Sequence, residues 1–181
     1  MSQERIINSR TIFEGKVVNL RVDTVTLGGE ETFEREIILH HGAVALVPLD
    51  ENGNVILVRQ YRAGAERELL ELPAGGLEAG EEREECARRE LQEETGFYPE
   101  TLGEMGHFWV AASYSTEAIT IYLARGLRPS RLRPDADERI SVVRMPLAEA
   151  LQAALSNQIE DSKTIIGLVW AARYLGKLDE K

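Results

Sequence analysis

From Ile6 to Leu39 apolar and polar positions alternate. The segments TIFEG, KVVNLRVDTVTL and TFEREIIL are rich in β-branched residues and read as short strands. Gly28-Gly29 supplies a turn between the second and third. This meander has too few large apolar side chains for a core of its own, so it is expected to pack on the main domain or on a second subunit. The pattern changes at Gly42. GAVALVPL is almost continuously apolar, DENGN with Asn52-Gly53 at its centre reads as a hairpin turn, and VILVRQY reads as the returning strand. Unbroken apolar runs of this kind suit strands covered on both faces. RAGAERELLEL then gives a loop and a short strand that leads into Pro73-Ala74-Gly75-Gly76.

From about Glu81 to Thr95 the chain lacks Pro and internal Gly and is rich in Ala, Leu, Glu, Gln and Arg, which predicts a helix. Gly96 stands where a helix takes a left-handed terminating residue. TLGEMGHFWVAAS and EAITIYLARGL read as a further strand pair joined by the polar SYSTE. RPSRLRPDADER is a Pro- and charge-rich loop of the length that often serves as a lid. ISVVRMPL returns as a strand, and LAEALQAAL and DSKTIIGLVWAARYL are amphipathic helices, the second with Asp161 or Ser162 as N-cap. Strands on either side of a central helix, with a terminal helix pair, predict an α+β domain layered as an α/β/α sandwich.

Composition narrows the function classes. A chain of 181 residues that is 43 % hydrophobic can bury one proper core with a small appendage. The formal net charge is −10, and the densest basic stretch, Arg128, Arg131 and Arg133, is interrupted by Pro and Ser. Nucleic acid is therefore not an expected partner. No apolar run reaches the length of a membrane span, and MSQERIINSR is too polar for a signal peptide, so a cytoplasmic location is expected and no membrane. Cys86 stands alone and reads as a small buried residue of the helix.

The candidate chemistry lies on the predicted helix. Glu90, Glu93 and Glu94 are related by i, i+3 and i, i+4 and share one face. Carboxylates so close repel one another unless a cation sits among them, and hard oxygen donors suit Mg²⁺ or Mn²⁺. The turn glycines let the backbone approach a ligand, which allows a carbonyl there to face the ion. Glu78, Glu82, Glu84 and Glu85 lie outside this spacing and read as a solvated acidic face.

The stretch Gly75 to Phe97, GGLEAGEEREECARRELQEETGF, resembles the signature of the Nudix hydrolases. Gly75, Glu81, Arg89-Glu90-Leu91-Gln92-Glu93-Glu94-Thr95-Gly96 and Phe97 fill every defined position. The resemblance implies the Nudix fold, a mixed β-sheet between helices, here with an N-terminal antiparallel β meander over residues 1–41 and the hydrolase domain over 42–181. It implies hydrolysis of a diphosphate joining a nucleoside to a second moiety, with Mg²⁺ (or Mn²⁺) held by Glu90, Glu93, Glu94 and the carbonyl of Ala74. Arg89, spaced to pair with Glu85 or Glu93, would fix the cluster, and Glu81 would meet the first amides of the helix. Nearly the whole chain is similar to the bacterial ADP-ribose pyrophosphatases within that family. That similarity implies Arg62 as a phosphate contact, Arg35 and Glu36 as contacts to substrate in the partner of a homodimer, and Glu117 as a further substrate residue. Glu93, Asp137 or Glu138 stands as the general base. Ala112 replaces a proline of that subfamily, which leaves GDP-mannose or another nucleoside-diphosphate sugar as the alternative substrate. A non-catalytic ADP-ribose-binding module is a further alternative, against which the complete carboxylate set speaks.

Overall fold

A computed structural model of the chain describes residues 4–133 and 139–177. The polypeptide folds into two compact units, Met1–Gly42 with Phe108–Ala118, and Ala43–His107 with Ile119–Lys181.

The first unit is built on strands β1 (Arg5–Glu14), β2 (Asn19–Thr26) and β3 (Thr32–Leu39), an antiparallel sheet in the order β1-β2-β3. Its apolar interior is thin. Val22 and Val25 of β2 are buried, whereas Ile6, Ile7, Ile12 and Phe13 leave β1 exposed along its whole length. Asp23 is buried between them, accepting bonds from the Ser9 hydroxyl at 2.6 Å and the Arg21 guanidinium at 2.7 Å. Segment 108–118 joins this unit by the end of β3. The Ile38 N–H donates to the Tyr114 carbonyl at 2.8 Å, and that of Thr116 donates back to the Ile38 carbonyl at 3.0 Å.

The second unit contains β4 (Ala43–Pro48), β5 (Asn54–Arg62), β6 (Arg67–Glu71), β7 (Ala74–Gly76), α1 (Arg83–Thr95), β10 (Ile140–Pro146), α2 (Leu147–Leu155) and α3 (Ser162–Tyr174). Strands β8 (Phe97–Trp109) and β9 (Ala118–Pro129) carry the chain between the units. A mixed sheet runs β7-β4-β9-β8, with β4 antiparallel to β7 and parallel to β9. Period-two alternation divides its side chains between two helices. On one face Val44, Leu46, Tyr122 and Ala124 pack with Cys86, Ala87 and Leu91 of α1. On the other, α3 lies so close that a methyl group at Gly167 would collide with Leu72 and meet Val47 at 3.4 Å and Ile121 at 3.5 Å. The sheet is thus sandwiched between helices, the α/β/α layering expected from sequence.

The pairing of β4 with β5 expected from sequence does not form. DENGN does close a tight turn, the Asp50 N–H donating to the Asn54 carbonyl at 3.0 Å, but β4 and β5 are not partners in one sheet. Apart from a single bridge between Leu49 and Val55 they part, and β5 pairs with β6 and β10 in a second, antiparallel sheet. Both strands are apolar on both faces, so hydrophobicity alone carries no record of which neighbour each takes.

Candidate active site

Helix α1 begins at Arg83, two residues after the sequence expectation, with Glu82 as N-cap. It ends at Gly96, whose φ of 77° lets its N–H return to the Gln92 carbonyl at 3.1 Å. Burial of Cys86, Ala87 and Leu91 against the sheet fixes the rotation of the helix, and that rotation turns Glu90 and Glu94 inward. Both carboxylates are nearly buried, 9 % and 6 % exposed. Glu94 accepts from the Ala74 N–H at 3.0 Å. Glu90 lies against Gly75, where a Cβ would collide with its carboxyl group. The glycine at this position is therefore what admits the carboxylate to the turn.

Arg89 organises the rest. Its guanidinium bonds Glu81 through Nε at 2.8 Å and Nη2 at 2.9 Å, Glu90 through Nη1 at 2.5 Å and Glu93 through Nη1 at 3.1 Å. It also donates to the Gly76 carbonyl at 3.2 Å, tying the helix to the turn. Of the two partners expected for it, Glu93 is present; its other partners are Glu81 and Glu90 rather than Glu85. Glu81, expected to meet the helix amides, instead accepts from the Glu78 N–H at 3.0 Å and from Arg89, because it precedes the helix and folds back along it. The Arg89 hydrogen bonds, more than burial opposes them, hold the Glu81 carboxyl down at about 2. Burial pushes the Cys86 thiol up to about 12, so it stays protonated and inert at neutral pH.

A second network, which sequence reading did not anticipate, adjoins this turn. Glu71, the last residue of β6, is 1 % exposed. Arg62 grips it with two parallel bonds, Nε at 2.7 Å and Nη2 at 2.8 Å, and Lys163 of α3 bonds the same carboxylate. Lys163 is itself paired with Asp161 at 3.0 Å, and Asp161 caps α3 by accepting from the Thr164 N–H at 2.9 Å. The Thr164 hydroxyl accepts from the Leu72 N–H at 2.8 Å. Burial alone would raise the Glu71 carboxyl, but the Arg62 hydrogen bonds and the Lys163 charge bring it below its ordinary value. Arg62 is raised, first by its bonds to Glu71, with the charge of Glu94 contributing. The available signal in the sequence was an acid flanked by Leu70 and Leu72 in a strand entering a turn.

The donor set fits a hard divalent cation. Glu90, Glu93 and Glu94 offer carboxylate oxygens beside the backbone of Ala74 and Gly75, and the Arg89 guanidinium bonds two of them, Glu90 and Glu93, together with Glu81. Among the described residues no three acidic, His or Cys side chains already converge on one point; Arg89 draws Glu90 and Glu93 to itself instead.

Comparison with known proteins identifies the family. The model of the NUDIX domain matches residues 39–165. The chain belongs to the Nudix family. A methanol dehydrogenase activator of Bacillus methanolicus is 38 % identical over 168 residues, covering 92 % of this chain and 91 % of that protein. An ADP-ribose pyrophosphatase of Bacillus subtilis (strain 168) is 37 % identical over 175 residues, covering 96 % and 92 %. The crystal structure of an ADP compounds hydrolase superposes with a TM-score of 0.87 at 26 % identity, covering 98 % of this chain and 96 % of that one. Nudix hydrolases generally use divalent metal ions.

This Nudix chain brings Arg62, Ala74, Arg89, Glu90, Glu93 and Glu94 together in its second unit. Arg35, Glu36 and Glu117 belong to the first. Arg35 is bonded to Glu4 and lies over the Phe33 ring at 6.0 Å, Glu36 is exposed opposite Val22, and the Glu117 N–H donates to the Ser115 hydroxyl at 3.1 Å. Ala112 is exposed within the turn that Ala111 closes with Tyr114 and Ser115. Asp137 and Glu138 lie outside the described residues.

Proposed function

We propose that this chain hydrolyses the diphosphate of ADP-ribose to AMP and ribose 5-phosphate in the presence of Mg²⁺, with Mn²⁺ as a substitute. The observation that carries the reading is the pair of buried carboxylates, Glu90 and Glu94, set against a glycine turn in a Nudix chain. Kinship with the Bacillus subtilis ADP-ribose pyrophosphatase and likeness to the ADP compounds hydrolase support the substrate class. Glu90, Glu93, Glu94 and the Ala74 carbonyl would hold the ion. When bound, it screens the diphosphate charge and acidifies water.

The residues divide the remaining work. Arg62 presents an N–H edge to a phosphate oxygen, and Arg89 keeps Glu90 and Glu93 in place. Water adds to one phosphorus as the bridging P–O bond breaks. Its proton passes to a carboxylate, Glu93 or Glu138 in this assignment, and the leaving phosphate keeps the electron pair. Arg35, Glu36 and Glu117 are assigned to substrate contacts, the first two across a homodimer. Exposed Ile6, Ile7, Ile12 and Phe13 on β1 favour a second copy of the chain as the partner. A cytoplasmic site of action suits the single reduced thiol of Cys86. No helix among the described residues is long and apolar enough to cross a membrane.

The test is a phosphatase-coupled assay of the wild-type protein on ADP-ribose, GDP-mannose, other nucleotide sugars and dinucleoside polyphosphates, with Mg²⁺ and then Mn²⁺. ADP-ribose is expected to give the highest kcat/KM. Glu94→Gln is expected to lower kcat by about two orders of magnitude or more with its circular dichroism unchanged. Activity on none of these compounds, or a fully active Glu94→Gln, refutes the assignment.

A further inference from the structure

Arg62 leaves β5 with a guanidinium that is neither buried nor loose. Its side chain is 39 % exposed, yet Nε and Nη2 are both committed to Glu71. A fork held along one edge has a single orientation left for the other, so Nη1 points where Glu71 aims it. Glu71 in turn has no freedom of its own. Its carboxylate is 1 % exposed and receives Lys163, whose side chain is 12 % exposed and is also tied to Asp161. The four groups balance in charge, which a buried carboxylate between two cations requires.

Such a cluster would serve folding alone if it stood away from the site, but its connections run into it. Glu71 is followed by Leu72, whose N–H is held by Thr164 of α3, and by Pro73, whose carbonyl accepts from the Leu46 N–H at 2.9 Å. Ala74 comes next and is bonded to Glu94. Arg62 also lies close enough to Glu94 to feel its charge.

We propose that Glu71 and Lys163 are positioning residues for substrate binding. Lys163, anchored at the start of α3, locks the Glu71 carboxylate, and Glu71 holds the Arg62 guanidinium so that its remaining N–H edge meets the diphosphate. The proposal rests on the reading of the site as a diphosphate hydrolase, and it adds the first turn of α3 to the machinery. Preset orientation removes the entropy otherwise lost when a long cation is fixed on a ligand, so its effect falls on binding more than on the chemical step.

Steady-state kinetics on ADP-ribose test this with Lys163→Met, Lys163→Arg, Glu71→Gln and Arg62→Ala, and with Lys163→Met and Glu71→Gln each placed on Arg62→Ala. Lys163→Met and Glu71→Gln are expected to raise KM about tenfold with kcat within about twofold, and Lys163→Arg to restore it. On the Arg62→Ala background the same substitutions are expected to leave KM where Arg62→Ala put it, because nothing remains to be aimed. Thermal unfolding of each variant separates the effect from destabilisation, which both backgrounds would share. Should Glu71→Gln fail to fold, Lys163→Met carries the comparison. An unchanged KM in Lys163→Met, or effects that multiply on top of Arg62→Ala, overturns the proposal while leaving the hydrolase reading intact. A wild-type protein inactive on every diphosphate refutes that reading itself.

Discussion

Glu81 keeps its negative charge in a crowded acidic neighbourhood because Arg89 reaches it with two bonds. Its carboxyl is depressed from the ordinary 4.5 to about 2, so the folded state is favoured above pH 4.5 and loses that advantage as pH falls through about 2. Glu81→Gln should therefore flatten the fall of thermal stability over this window and cost on the order of 1 kcal/mol at neutral pH, after allowance for solvent screening. Melting curves at several pH values check this; parallel pH profiles for wild type and variant contradict it. The same contrast shows what was readable. Glu90, Glu93 and Glu94 declare themselves by helical spacing. The partnership of Glu81 with Arg89 does not, because Glu81 stands before the first turn and reaches Arg89 by folding back. Glu71 was harder still, since its partner Lys163 is 92 positions away in the chain.

Among the elements, α1 is the one whose seat decides the site. Leu91 is fully buried among Val44, Leu46 and Tyr122, on the helix face next to Glu90 and Glu94. Leu91→Ala should cost about 2–5 kcal/mol in chemical denaturation, whereas Arg83→Ala, exposed at the start of the same helix, should stay within about 0.5 kcal/mol. Equal losses from the two would mean that the apolar face does not seat the helix. The helices were legible because their caps and periodicity are local: Gly96 and Asp161 both end or begin a helix as their chemistry predicts. The partners of β4 and β5 were not. A strand covered on both faces shows no alternation, and the tight turn at Asn52-Gly53 joins two sheets as readily as it joins two strands of one.

At the scale of the molecule, the three-stranded unit buries Val22 and Val25 and leaves Ile6, Ile7, Ile12 and Phe13 exposed. Light scattering at micromolar concentration should give the mass of a dimer, and Ile12→Asp with Phe13→Asp on β1 should shift it toward the monomer. A wild-type monomer that hydrolyses substrate would exclude a site shared between copies. The excursion at 108–118 has a bearing on any effort to dissect the protein. Since the polypeptide passes from one unit to the other at 42/43, 107/108 and 118/119, it is not a string of two beads with one thread between them. Cutting after Gly42 would strip away the three strands yet strand their eleven-residue companion on the remaining fragment, its hydrogen bonds to Ile38 and His40 severed. Exchanging the leading segment of this chain for another would accordingly demand a matched graft at both places.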